Sequence, residues 1–164
     1  KAGEERLRDI AFGMVLDAGT LEQIEGIRQK ICQNASPLDL KKAEGGLAET
    51  EFAVRLLQIQ QVARIPEIKR GDVLGALEGL FRFRAITGGE YETLHEAYLL
   101  YRRIENRIRL MHGRSDSQLP ATPEAQSELA QRLEIDTDLA LLVQDHRVRV
   151  HQLYLRLLKR AGLR

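Results

Sequence analysis

The stretch DLKKAEGGLAETEF, Asp39 to Phe52, gathers more chemically useful side chains than any other part of the chain. A lysine pair, a double glycine and two carboxylates stand at the mouth of a helix that apolar spacing places from about Leu47 to Ala63. Lys41 can contact a phosphate or another acidic group. Gly45 and Gly46 can let backbone N–H groups approach an anion at the helix N-terminus, where the dipole favours negative charge. Glu49 and Glu51 lie two residues apart, so on a helix they point about 200° from each other and cannot serve one ligand. One is expected to pair with Lys41 or an arginine, the other to face a site. The same residues also read as a plain glycine-assisted helix start, which residue chemistry by itself favours.

Other candidates carry less. Asp136-Thr137-Asp138 has the spacing of carboxylates that, on a strand, hold two divalent metals for nucleotidyl transfer. Here it precedes an amphipathic helix, so Asp136 or Thr137 is read as its cap and Asp138 as a complement to its dipole. His146 and His151 are five apart and do not share a helix face; His146 falls on an apolar stripe and reads as a core histidine. Cys32 ends a helix with no His or cation placed by sequence to ionise it. Arg70-Gly71-Asp72 reads as a helix cap, not an adhesion tripeptide. Phosphate-loop ATPase chemistry is excluded by the lack of a Gly-x-x-x-x-Gly-Lys run. No catalytic residue and no metal ligand is assigned. Arg102, Arg103, Arg107 and Arg109 on one helix, and Arg147, Arg149, Arg156 and Arg160 on another, read as solvated faces with internal ion pairs.

Composition narrows the classes further. The 164 residues carry 25 Lys plus Arg against 24 Asp plus Glu, a balance that demands neither nucleic acid nor an acidic membrane. Aromatics are 5% with no Trp, which argues against stacking platforms for single strands. One cysteine excludes an internal disulfide framework. No apolar run is long enough to span a membrane and no export signal is visible, so a cytoplasmic setting is expected. With Lys at position 1, the sequence reads as a segment of something longer.

The elements that must position these residues are helices. Periodicity predicts seven in a single all-α domain, residues 1–164, with mostly antiparallel neighbours. The first, about Glu4 to Leu16, shows Leu7, Ile10, Ala11 and Met14 on one face. Thr20 with Gln23 reads as a capping box for the second, whose buried stripe is Leu21, Ile24, Ile27 and Ile31. Asp72 caps a fourth helix, with Val73, Leu77, Leu80 and Phe81 inward and Thr87-Gly88-Gly89 as its end. The fifth carries Leu94, Ala97, Tyr98, Tyr101, Ile104, Ile108 and Met111. Thr122-Pro123-Glu124 starts the sixth, and the last runs through Leu139, Val143, His146, Val150 and Tyr154 to a stop at Gly162.

The Asp39–Phe52 segment resembles the Asp-x-Lys … Gly-Gly-Ile-x-Asp/Glu-Ile-Glu-Phe pattern of bacterial glutamine synthetase adenylyltransferases, matching at Asp39, Lys41, Gly45, Gly46, Leu47, Glu49, Glu51 and Phe52. LEQIEGIRQKI, Leu21 to Ile31, is similar to the helix preceding that motif. AYLLYRRIENRIRL, Ala97 to Leu110, resembles the family's Tyr-x-x-Leu-Arg-x-x-Glu-His-Arg-Leu helix, with Asn106 in place of His. SDSQLP resembles a shortened form of its later loop, without Thr-His, and HRVRVHQLYLRLL its terminal helix. The resemblance implies a helical domain that follows a nucleotidyltransferase domain. The chain has no Gly-Ser dipeptide, so the Gly-Ser loop of the family's catalytic part is absent, and this segment is expected to be inactive alone. For the parent, the resemblance implies MgATP, its own catalytic domain, glutamine synthetase and the PII signal protein. Lys41, Gly45, Gly46, Glu49 and Glu51 become, by the family motif, the candidate nucleotide-contacting set. A free-standing helical adaptor, binding protein or RNA through its arginine faces, is the alternative.

Overall fold

The computed structural model describes residues 18–113 and 116–162. Among them are six α-helices: α1 Ala18–Gln33, α2 Leu47–Gln61, α3 Val73–Arg82, α4 Gly88–His112, α5 Pro123–Arg132 and α6 Leu139–Ala161. A 3-10 turn, Pro66–Ile68, precedes α3. The helix expected over Glu4 to Leu16 lies outside the described residues. The architecture is all-α, and none of the described helices is long and apolar enough to cross a membrane.

Local chemistry sets the helix ends. Asp72 caps α3 by accepting the Gly75 N–H at 2.8 Å. Thr87 and Glu90 form a reciprocal capping box, at 3.2 and 2.8 Å, that starts α4. Thr87 therefore opens a helix and does not close one; α3 has already stopped at Arg82, with Arg84 in the left-handed region. α1 already contains Ala18 and Gly19, so Thr20 lies inside the helix, not at its cap. Thr122 caps α5. At α6 the cap is Asp138, not Asp136 or Thr137; its carboxylate accepts the Leu141 N–H at 2.9 Å. Gly113 and Gly162, both at positive φ, end α4 and α6.

Three helices make the centre. α2, α4 and α6 pack against one another, α3 covers one end of the trio and α5 the other. Leu56, Leu57, Leu77, Leu80, Leu94, Leu153 and Leu157 fill the α3 end. Leu47, Tyr101, Ile104, Leu129, Leu133 and Val143 fill the α5 end. Since α4 enters the α3 end first while α2 and α6 reach it last, α4 is antiparallel to both, and α2 runs parallel to α6.

Burial departs from the expected faces at several positions, Met111 at the end of the α4 stripe being 36% exposed. Phe81 turns outward and stacks on Tyr91 at 4.8 Å, which stacks on His95 at 5.0 Å. Ile27 is 54% exposed while Arg28 is 5% exposed, so the buried stripe of α1 runs through an arginine. Arg147 is buried in α6, unlike the solvated arginines with which the sequence groups it. Arg102, Arg149 and Arg160 do hold surface ion pairs, with Glu105, Asp145 and Glu90. His146 is a core histidine; burial, reinforced by Arg149, pushes its pKa below the ordinary 6.5. Cys32 does meet a cation, the Arg28 guanidinium 3.6 Å from Sγ, yet burial dominates and pushes the thiol up.

Candidate functional site

The loop before α2 is tied to α6 in a buried polar joint. Gly45 has φ +68°, and a Cβ there would sit 2.0 Å from the Arg147 carbonyl oxygen, so only glycine fits. Its carbonyl accepts the Tyr101 hydroxyl at 2.8 Å, and its N–H donates to Glu49 Oε2 at 3.1 Å. Glu49 is 1% exposed; Arg28 Nη1 donates to Oε2 at 3.1 Å, and His151 Nδ1 lies 2.7 Å from Oε1. Arg28 also donates to both Glu25 oxygens, at 2.9 and 2.7 Å, and these bonds outweigh burial to keep it firmly protonated. Arg147 donates to the carbonyls of Pro37 at 2.6 Å and Asp39 at 2.7 Å. Asp39 in turn accepts the Lys41 and Lys42 N–H groups and the Ser117 hydroxyl, at 2.9 to 3.0 Å.

This turn does not fit a phosphate. The N–H of Gly45 is held by Glu49, that of Gly46 by Ala43, that of Leu47 by Leu40 and that of Ala48 by Lys41. A cradle needs such groups free and convergent. The close approach that glycine permits here is to the backbone of α6. Positive φ falls on Gly45 alone of the pair, while Gly46 is extended. Lys41 keeps an exposed side chain beside these internal contacts.

Glu51 takes the opposite direction. It lines an open cleft of about 730 Å³ among α1, α2, α3 and α4, walled by Ile31, Phe52, Val73, Leu74 and Tyr98. Three other charged groups sit on its rim. Arg55 donates to Gln58 Oε1 at 2.5 Å, to the Arg70 carbonyl at 2.8 Å and to the Gly71 carbonyl. Arg102 donates to Glu105 at 2.8 Å and lies over the Tyr98 ring at 5.6 Å. Asp72 is the α3 cap. Among the described residues nothing donates to the Glu51 carboxylate. The structure thus separates the five motif residues: Gly45, Gly46 and Glu49 brace the joint, Glu51 faces the cleft and Lys41 is on the surface. A smaller hollow of about 410 Å³, beside Gln126, Gln131 and Asp136, lies between α5 and the start of α6. Among the described residues no three His, Cys, Asp or Glu side chains are placed to share a metal ion.

A family model described as GlnD PII-uridylyltransferase matches residues 21–158. The chain belongs to this family. The match to the GlnD PII-uridylyltransferase model runs from the first turn of α1 to the last turn of α6, so joint and cleft both lie within it. Curated relatives are named bifunctional glutamine synthetase adenylyltransferase/adenylyl-removing enzyme. The protein from Xanthomonas campestris pv. campestris (strain B100) is 31% identical over 134 residues, covering 77% of this chain and 14% of the relative. That from Mannheimia haemolytica is 26% identical over 130 residues, again 77% and 14%. That from Vibrio parahaemolyticus is 25% identical over 154 residues, 90% of this chain and 16% of the relative. The chain therefore spans a small part of the relatives it matches.

Sequence reasoning missed Arg28, Arg147, Tyr101 and His151 as members of the joint. A signal existed for the arginines. Arg28 follows the buried Leu21 by seven residues, and Arg147 stands between Val143, Val150 and Tyr154 at steps of four, three and seven. A cation on the inward stripe of an amphipathic helix must find acceptors inside.

Proposed function

We propose that the chain is the non-catalytic helical domain of a glutamine synthetase adenylyltransferase-like protein, supporting AMP transfer to or from glutamine synthetase in nitrogen regulation. The similarity over most of the chain to relatives named as glutamine synthetase adenylyltransferases supports this reading, beside the family match across residues 21–158. The relatives are named for adenylyl transfer and adenylyl removal, and the matched segment is 14% to 16% of their length. In the parent, MgATP would supply the AMP group on a separate nucleotidyltransferase domain. The present residues contribute a rigid platform: the joint fixes the start of α2, and α2 offers Glu51 and the cleft to that neighbouring domain. Lys41, exposed on the loop before α2, would meet an acidic group of that domain or its substrate. The PII signal protein is the regulator this reading carries with it, and the cytoplasm its setting.

The test uses the intact parent. Lys41→Ala should lower the rate of AMP transfer several-fold while moving the thermal midpoint of this domain by less than about 1 °C, because an exposed lysine contributes little to the core. The 164 residues alone should transfer no AMP. A normal rate in the variant parent reduces Lys41 to a bystander, and metal-dependent transfer by the isolated segment removes the accessory role altogether.

A further inference from the structure

The cleft beside Glu51 also has a definite ligand chemistry. We infer that it is a socket for an arginine side chain presented by the protein surface packed against it, an inference that rests on the accessory-domain reading for the identity of that surface. Of the four charged groups on the rim, three are already committed. Asp72 accepts from Arg70 Nε at 3.2 Å and from the Gly75 N–H; burial pushes its carboxyl up, but these bonds prevail and hold it below its ordinary range. Arg102 is bound to Glu105 and laid on Tyr98. Arg55, four residues beyond Glu51 and able to pair with it along the helix, is drawn instead to the carbonyls of Arg70 and Gly71. Glu51 is left half-buried on the lining of the cleft and, among the described residues, takes part in no hydrogen bond or ion pair.

A carboxylate in that position accepts a cation far better than an anion, and the apolar walls select which cation. A guanidinium meets a carboxylate with two parallel hydrogen bonds and is more weakly hydrated than an ammonium, so it loses less on leaving water. Its methylene stem would lie along Ile31, Phe52, Val73 and Leu74. A phosphate or acidic peptide would face Glu51 while finding both nearby guanidiniums engaged. The cleft also holds more than one side chain, which leaves room for the residues flanking the arginine.

The probe is a blocked leucine–arginine–leucine peptide, titrated into the 15N-labelled chain beside the same peptide carrying citrulline. Citrulline keeps the shape and removes the charge. The arginine peptide should shift the amides of Ala48, Glu51, Phe52, Leu74 and Tyr98 saturably, with the citrulline peptide about tenfold weaker, the worth of one charge-assisted contact. Glu51→Gln should bring the two peptides to equal affinity while its spectrum stays dispersed. Equal affinity in the wild-type chain, or shifts that map away from the cleft, overturns the socket. Transfer assays on the parent decide the accessory role separately, since arginine selectivity can hold where AMP transfer fails, and the reverse.

Discussion

The joint and the cleft share helix α2, yet they treat a carboxylate in opposite ways. Glu49 reaches into the protein and meets an arginine, a histidine and a backbone N–H; Glu51, two residues later, reaches a hollow where the neighbouring cations are already engaged. Helix geometry alone creates the divergence, because positions two apart face nearly opposite sides. What differs is the surroundings. The joint is closed by residues from α1, α4 and α6 that bond to Glu49 or Gly45, whereas the cleft has residues of α1, α3 and α4 in its walls but none that bonds to Glu51. A motif with both acids therefore does two jobs, one of fixing and one of presenting.

Removing each acid in turn is the sharpest way to break that contrast. Glu49→Ala should destabilise the chain by about 3 kcal/mol in urea unfolding, since it strips a buried partner from Arg28 and leaves the Gly45 N–H unsatisfied. Glu51→Ala should stay within about 0.5 kcal/mol. Comparable losses at the two positions would mean that the joint is no more structural than the cleft.

Two glycines refine the comparison. Gly45 and Gly113 have nearly the same backbone, φ +68° and +65°, but a Cβ at Gly113 meets nothing within 4 Å. Gly113→Ala should therefore cost about 1 kcal/mol, the left-handed penalty alone. Gly45→Ala should add the overlap with the Arg147 carbonyl, for a total of about 3 kcal/mol. Equal costs would show that α6 yields at this point and that the loop is not clamped.

Much of the fold was legible because helices announce themselves through spacing. The α4 stripe from Leu94 to Ile108 and the α6 stripe from Leu139 to Leu158 are buried where periodicity puts them. Caps were less secure, since Thr-x-x-Gln inside α1 and Thr-x-x-Glu before α4 look alike until the chain is folded. Phe81 shows another limit: an aromatic at the end of a short helix can stack on a neighbour instead of entering the core. The site was legible as a motif and illegible as a geometry. Nothing local says that Gly45 will be pressed by Arg147, or that Glu49 will meet His151, 102 residues away. Such pairings depend on α2 and α6 lying in parallel, which no single helix encodes.

The smallest expected effect concerns acid. Burial raises the Glu25 carboxyl, but hydrogen bonds from Arg28 and Gln29 prevail and hold it below 4.5. Its stabilising contribution is thus complete above the unfolded value and is lost as pH falls. His146, lowered from 6.5 by burial, acts in the same direction at higher pH, because the unfolded chain takes up its proton first. The thermal midpoint should decline in two stages between pH 7 and pH 3. His146→Gln should flatten the first and Glu25→Gln the second, while Glu51→Gln should leave both stages in place. A two-stage profile altered by Glu51→Gln would tie the cleft to the joint.

The Arg147 clamp sets a clock on biosynthesis. The carbonyls it holds belong to Pro37 and Asp39, 110 and 108 residues earlier in the chain. At ribosomal speeds of about 5–20 residues per second, the loop waits on the order of ten seconds for its anchor to be made. During that interval α1 and α2 can form, but the turn at Gly45 has nothing to press against. A nascent chain paused before α6 thus leaves the Pro37 and Asp39 carbonyls without Arg147 and Glu49 without His151, and the joint closes only once α6 is made.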